Sequence, residues 1–352
     1  MSLTAPGRLL MTPDTRKWTH RQAGLPLFLA LGLVLLLATP AFPVPQGGYA
    51  HPETLIQPEE LKALVDRQAP GLRIIDVRHK AKYYLGHVPG ALEVWRPDLD
   101  DHQSQGLIPS RAQVEALLGR LGVSGQDTLI LYGDHYDHSR LWLVLAYYGF
   151  PLERLRLLDG GLEAWKAKGY PTQMTAPPVS RTRVKLPGAS PFPKLVADLA
   201  AVKIASQAPG KVIVDVRPHR QYLGQQEKEG AARPGHIPGA VGLVWKEAVV
   251  AAGPYKSFFQ PAVELKKIFR AQGATPDKDI YLYSHNGLSA TLSLLGLYLA
   301  GYPLEKLHLY AGSWIEWSRS PEAAAMGNAA AAGPQPTGNP PKTGAREKRG
   351  KP

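Results

Sequence analysis

The sequence predicts an α/β protein built from two copies of one unit, each a mainly parallel central sheet with helices on both faces. Three observations predict it. The chain has 352 residues, more than one ordinary hydrophobic core accommodates. Short apolar runs of strand length alternate with amphipathic helical patterns, the signature of a parallel sheet covered on both sides. The motifs of the first half return in the second half in the same order.

Taken along the chain, residues 1–50 read as an export leader. Arg8, Arg16, Lys17 and Arg21 form a basic region and Leu25–Ala38 an apolar run. Small residues then offer cleavage after Ala41 or after Ala50. This order predicts a periplasmic or secreted protein. If the leader is retained, Leu25–Ala38 becomes a membrane anchor, although it is short for a comfortable span.

The first unit, 51–173, predicts buried strands at Ile74–Val77, Leu129–Tyr132 and Leu155–Leu158, and helices at Ser110–Leu121 and Arg140–Tyr148. A polar, Pro-rich stretch begins near Tyr170, and 174–193 is the linker. The second unit, 194–322, predicts a strand at Asp279–Tyr283 and a helix at Thr291–Ala300. Residues 323–352, rich in Ala, Gly, Pro and Lys, predict a disordered tail.

The duplication is carried by paired motifs. Asp76-Val77-Arg78 answers Asp215-Val216-Arg217, and Gly86-His87-Val88-Pro89-Gly90-Ala91 answers Gly235-His236-Ile237-Pro238-Gly239-Ala240. Gly149 to Trp165 aligns with Gly301 to Trp317 without a gap. His87 and His236 recur in the turn motif and are expected to hold that turn. Asp76 and Asp215 are expected to satisfy nearby backbone N–H groups, and Arg217 to pair with a carboxylate or line a pocket. Trp165, Trp314 and Trp317 are expected in the core.

The net charge of +12 invites a nucleic-acid reading, but its distribution removes it. The leader holds four Lys/Arg against one Asp, and the tail five against one Glu, which leaves a body of only +5. No basic helix is interleaved with aromatics, so no nucleic-acid partner is expected. The chain contains no cysteine, which excludes disulfides, thiolate chemistry and a lipidated cysteine at the leader. In the first unit, Gly133-Asp134-His135-Tyr136-Asp137-His138 gathers two His and two Asp, but not at metal-ligand spacing, so no metal and no cofactor is expected.

Candidate chemistry lies at Ser284-His285-Asn286-Gly287-Leu288-Ser289. A Gly-containing loop between strand and helix points N–H groups at one spot beside a helix N-terminus, a geometry that suits an anion. These motifs, with the closing Gly312-Ser313-Trp314-x-x-Trp317 and Tyr222-Leu223-Gly224, resemble the tandem-domain rhodaneses, the thiosulfate and mercaptopyruvate sulfurtransferase family. The resemblance covers roughly 55–321. It implies a degenerate first domain and a reactive loop, Cys-x-x-Gly-x-x-Ala, in the second. The matching positions are Ser284, Gly287 and Ala290.

In that family the cysteine thiolate takes a sulfane sulfur and becomes a persulfide. A serine hydroxyl has a far higher pKa and cannot do so. The cations that thiosulfate-specific members carry after the cysteine are replaced by His285 and Asn286. The Arg that such members place before the tyrosine is replaced by Gln221, with Arg220 one position earlier. Pocket candidates are therefore Arg217 and Arg220. His285 adds positive charge only when protonated, below about 6.5. The resulting expectation is an exported, sulfur-transfer-impaired member that binds a small sulfur-containing or other oxyanion, or an extracytoplasmic protein. Two alternatives are sulfur transfer from thiosulfate or 3-mercaptopyruvate by a route without cysteine, and a Ser284-dependent hydrolase.

Overall fold

The structure, a computed structural model, describes residues 47–326 except 103, 105, 253, 254 and 323. The predicted anchor Leu25–Ala38, the cleavage position after Ala41 and nearly all of the tail lie outside the described residues. Among those described, no helix is long and apolar enough to cross a membrane.

The first domain contains strands β1 (Leu55–Ile56), β2 (Leu72–Asp76), β3 (Leu92–Glu93), β4 (Thr128–Tyr132) and β5 (Leu155–Leu158). Its helices are α1 (Pro58–Asp66), α2 (Lys80–Tyr84), α3 (Arg111–Arg120), α4 (Asp137–Tyr147) and α5 (Gly161–Ala167). The second domain contains β6 (Val196–Ala197), β7 (Lys211–Asp215), β8 (Val241–Gly242), a hairpin of β9 (Val249–Ala252) and β10 (Tyr255–Phe259), then β11 (Asp279–Tyr283) and β12 (Leu307–Tyr310). Its helices are α6 (Leu199–Ala205), α7 (His219–Tyr222), α8 (Ala262–Ala271), α9 (Leu288–Leu299) and α10 (Ser313–Arg319).

The sheet orders are β1-β5-β4-β2-β3 and β6-β12-β11-β7-β8, with every neighbouring pair parallel. These orders are the same once the numbering is shifted, so the duplicated sequence is a duplicated fold. The hairpin β9–β10 is antiparallel and belongs to the second domain alone.

The central strands are apolar at successive positions because both of their faces are buried. In β4, Leu129 and Leu131 enter one core while Ile130 and Tyr132 enter another. In β11, Ile280 and Leu282 face the first core and Tyr281 and Tyr283 a third. Side chains alternate between faces with period two, so a doubly covered strand needs a continuous apolar run. The core shared by both domains contains α4 and α9, which bury Leu141–Ala146 and Leu292–Ala300. Trp165, Trp314 and Trp317 close the outer faces and are buried.

Several element boundaries differ from the sequence reading, three elements by two residues or more. Strand β2 is Leu72–Asp76, while α4 begins at Asp137 and α9 at Leu288, each three residues before the apolar periodicity does. A first helical turn needs no intrahelical acceptor for its N–H groups, so helices start where the backbone turns. Residues 174–193 hold no helix or strand, yet they run along the first domain. Thr182 N–H donates to Gly119 O, Leu186 N–H to Glu115, and Val184 and Leu186 are buried. Ala325, assigned to the tail by composition, exchanges two backbone bonds with His236.

Candidate functional site

Each domain contains the same buried clasp beneath its loop. Asp215, the last residue of β7, accepts the Arg217 N–H at 2.9 Å and its guanidinium at 2.6 to 3.0 Å. Arg217 also donates to Gly235 O at 2.7 Å and lies 4.5 Å from the Trp314 ring centroid. Tyr283 OH donates to Asp215 at 2.6 Å and accepts the Ile237 N–H. His236 contacts Tyr222 O through Nδ1 at 2.8 Å and stacks on that tyrosine ring. The first domain repeats the Asp–Arg pair, the Arg bond to a glycine carbonyl, the backbone N–H bond to the tyrosine hydroxyl and the His–Tyr contact, with Asp76, Arg78, Gly86, Val88, Tyr132, His87 and Tyr83. Arg217 is thus a paired residue within the scaffold. Burying a charge without a partner is costly, and this pair is well bonded on both sides.

The clasp fixes the end of β11, where the loop begins. Ser284 is buried at 1% exposure, and its Oγ has no hydrogen-bond partner. Its N–H donates to Ser313 Oγ at 3.1 Å, and its carbonyl accepts the Trp314 N–H at 3.0 Å. His285 O accepts the Ile315 N–H at 3.1 Å. Gly287 stands at φ +77°, and a Cβ there would lie 2.6 Å from Ala311 O, so only glycine fits. Among the described residues, the N–H groups of His285, Asn286, Gly287, Leu288 and Ser289 meet no acceptor. Five successive donors lie at the positive end of the twelve-residue α9, an arrangement whose charge suits an anion.

His285 turns away from Ser284. Its Nε2 lies 2.8 Å from Glu229 O, so Nε2 carries the proton, while the buried Nδ1 has no partner. Burial pushes its pKa below the ordinary histidine value, against the pull of the Glu229 carbonyl. The expected onset of charging near 6.5 therefore moves to more acid pH. Among the described residues no histidine is hydrogen-bonded to Ser284 Oγ, so the base–nucleophile bond of a serine hydrolase is not formed there.

Asn286 and Leu288 line a cavity of about 730 Å³ between the domains, with Arg96, Asp100 and Tyr136 from the first domain and Lys228 from the second. Lys228 also lines a second cavity, of about 1010 Å³, against His285 and Asn286. The cations lining these cavities are Lys228, Arg319 and Arg96, the last ion-paired with Asp137 at 3.3 Å, and the carboxylates Asp100, Asp101, Glu229 and Glu316 line them too. Arg220 is exposed on α7 and lines neither cavity. Sequence reading missed Arg96 because it comes from the other domain, and Lys228 because it sits in an insertion without a motif. It quoted Ser313 only as part of the closing motif.

The first-domain loop is built differently. Gly133 occupies the place of Ser284, and a Cβ there would lie 2.5 Å from Val77. Asp134 pairs with Lys82, and Arg140 is buried against Asp100, Leu99 O and Gly106 O. Burial raises Asp137 to about 6, against the attraction of Arg96, and lowers His138 to about 4. No three His, Asp or Glu side chains among the described residues converge as metal ligands.

The rhodanese-like domain family matches residues 57–168 and 198–320. The chain is 33% identical over 283 residues to the sulfur carrier protein TtuD of Thermus thermophilus, covering 77% of this chain and 95% of that protein. It is 30% identical over 300 residues to a thiosulfate sulfurtransferase of Corynebacterium glutamicum, covering 80% and 93%. Its fold is similar to the 3-mercaptopyruvate sulfotransferase SseA of Escherichia coli, with TM-score 0.63 and 26% identity over 74% of this chain and 98% of that one.

Proposed function

The chain belongs to the rhodanese family as a tandem of two rhodanese-like domains, and from that premise we propose that its second-domain loop binds a small oxyanion without passing on a sulfane sulfur. One juxtaposition carries the reading: a buried serine at the nucleophile position of a chain with no cysteine, beside five loop N–H groups without acceptors. The donors belong to the backbone, so anion capture does not depend on the side chain at 284. Sulfur transfer does depend on it, because a hydroxyl forms no persulfide. Lys228 and Arg319 supply long-range attraction, which salt screens and which the neighbouring carboxylates reduce. The names of the relatives point to thiosulfate as the first ligand to try.

Titration of wild type and Gly287→Val with thiosulfate and sulfate tests the reading. Weak, salt-sensitive binding by wild type alone supports it. Equal binding by both, or none by either, assigns the function to another surface. In a thiosulfate–cyanide assay wild type should stay at background. A turnover that survives metal removal and vanishes in Ser284→Ala would overturn this.

The body acts outside the cytoplasm in this proposal, directed by the basic region and apolar run of the leader. Processing after Ala41 fits better than after Ala50. Gly47 O accepts the Ala262 N–H, Tyr49 OH donates to Phe259 O, and Ala50 N–H donates to Leu299 O. A cut after Ala50 would remove these ties to the second domain. Fusing residues 1–55 to a reporter active only outside the cytoplasm checks export, and a silent reporter sinks it.

A further inference from the structure

We propose that Ser313 is the positioning residue of the second-domain loop, a serine held in a strained backbone conformation so that its hydroxyl can fix the backbone of Ser284. Ser313 stands at φ +53°, in the left-handed region that disfavours any residue with a Cβ, and is fully buried. The aligned residue of the first domain is Gly161, at φ +58°. The turn therefore demands the same backbone in both domains. Only the first domain uses the residue that adopts it freely.

What the second domain gains is visible in the bonds. Ser313 Oγ donates to Tyr310 O at 2.8 Å and accepts the Ser284 N–H at 3.1 Å. The next two residues, Trp314 and Ile315, donate their N–H groups to Ser284 O and His285 O. Residues 313–315 thus hold both ends of the Ser284 peptide and the carbonyl of His285. The donors that remain without acceptors begin at His285, immediately after the held unit. No matching bond joins Leu162 or Glu163 to Gly133 or Asp134 among the described residues. At this turn position strain and fixation occur together in the second domain, whereas the first domain has a glycine there and no such bond; its own strained loop residue, His135 at φ +56°, lies elsewhere in the loop.

The test compares Ser313→Ala with Ser313→Gly in the full-length protein. Both remove the hydroxyl, and only alanine keeps the strain. The glycine variant should melt roughly 2–4 °C above the alanine variant. In both, the Ser284 amide should exchange about tenfold faster or more and its proton resonance should move upfield, read by selective ¹⁵N-serine labelling. A role confined to stability would leave that resonance in place in the better-folded glycine variant. Sulfate affinity should fall about fivefold in both variants, an arm that rests on the oxyanion reading. Equal melting of the two variants, an unmoved Ser284 resonance, or unchanged sulfate affinity alongside a loosened Ser284 amide would each overturn the proposal. If wild type binds no sulfate, the oxyanion reading fails and the melting and amide arms still decide the role of Ser313.

Discussion

The two domains share a skeleton and differ at the loop it supports. Asp76 and Arg78 pair as Asp215 and Arg217 do, within 0.1 Å, His87 contacts Tyr83 O as His236 contacts Tyr222 O, and the Tyr132 and Tyr283 hydroxyls each accept a backbone N–H of the turn motif. Above that clasp, the N–H groups of His285 to Ser289 meet no acceptor among the described residues, while the first-domain loop carries Asp134 paired with Lys82 and the buried Asp137, His138 and Arg140. The clasp recurs in both domains, so it belongs to the shared scaffold. Function in this fold is set by the few residues between strand end and helix start.

The largest effect expected from this difference is on chemistry. Ser284→Cys places a thiol beside the loop N–H groups that meet no acceptor among the described residues. It should raise thiocyanate formation more than about 100-fold above wild type, since losing a nucleophile typically costs far more than that. Gly133→Cys should give nothing, because its Cβ would collide with Val77. Comparable activity from the two variants would mean that the loops are not distinct in the way their backbones indicate.

A second test targets the clasp. Arg78→Ala and Arg217→Ala each leave a buried carboxylate with its main partner gone, at a cost of about 3–5 kcal/mol. The bonds match, so the two losses should match. Denaturant unfolding reads both, and a difference of more than about 2 kcal/mol would show that the second clasp does more than hold its turn.

Much of this was legible in the sequence. The Asp-x-Arg and Gly-His-x-Pro-Gly motifs repeat because each residue has a fixed partner, and those partners fix the duplicated sheets. The strand–loop–helix around Ser284 was legible because a glycine between a strand and a helix has few uses. Three kinds of feature were not. The hairpin Val249–Phe259 went unread, although Gly253-Pro254 sits between its two runs as a turn signal, because the runs themselves are short and mixed with Lys256 and Ser257. Arg96 reaches the second-domain loop only through the packing of α4 against α9, a long-range consequence of tertiary structure. The strain at Ser313 is a dihedral angle, and it shows in sequence only when Gly161 is aligned beneath it.

Smaller effects separate the glycines of the two loops. Gly161→Ala carries only the left-handed penalty, about 1–2 kcal/mol, because its Cβ would sit 3.6 Å from Gly133 O in ordinary contact. Gly287→Ala carries that penalty and a contact at 2.6 Å with Ala311 O, which must move. It should cost roughly 1 kcal/mol more. Equal melting of the two variants would imply that the second loop yields without resistance.

The smallest effect is the response to acid, and its sign should differ between domains. Burial lowers the pKa of His236, His285 and His308 in the second domain. Each binds fewer protons folded than unfolded below about 6.5, so each loses stability as pH falls through that value. Glu247, raised by burial, opposes them in part. In the first domain, burial lowers His138 to about 4, which acts in the same direction. Burial also raises Asp137 and Asp159 to about 6. These two bind more protons folded than unfolded, so their contribution is present in acid and is lost as pH rises from about 4 to about 6. They offset His138, whereas the second-domain histidines add together. Hydrogen exchange at about pH 5 and about pH 7.5, corrected for intrinsic rates, should therefore show β11 and α9 losing roughly three- to tenfold more protection in acid than β4. The shared core couples the domains and keeps the ratio modest. An equal or greater acid loss at β4 would show that the buried carboxylates of the first domain do not hold their protons as their burial requires.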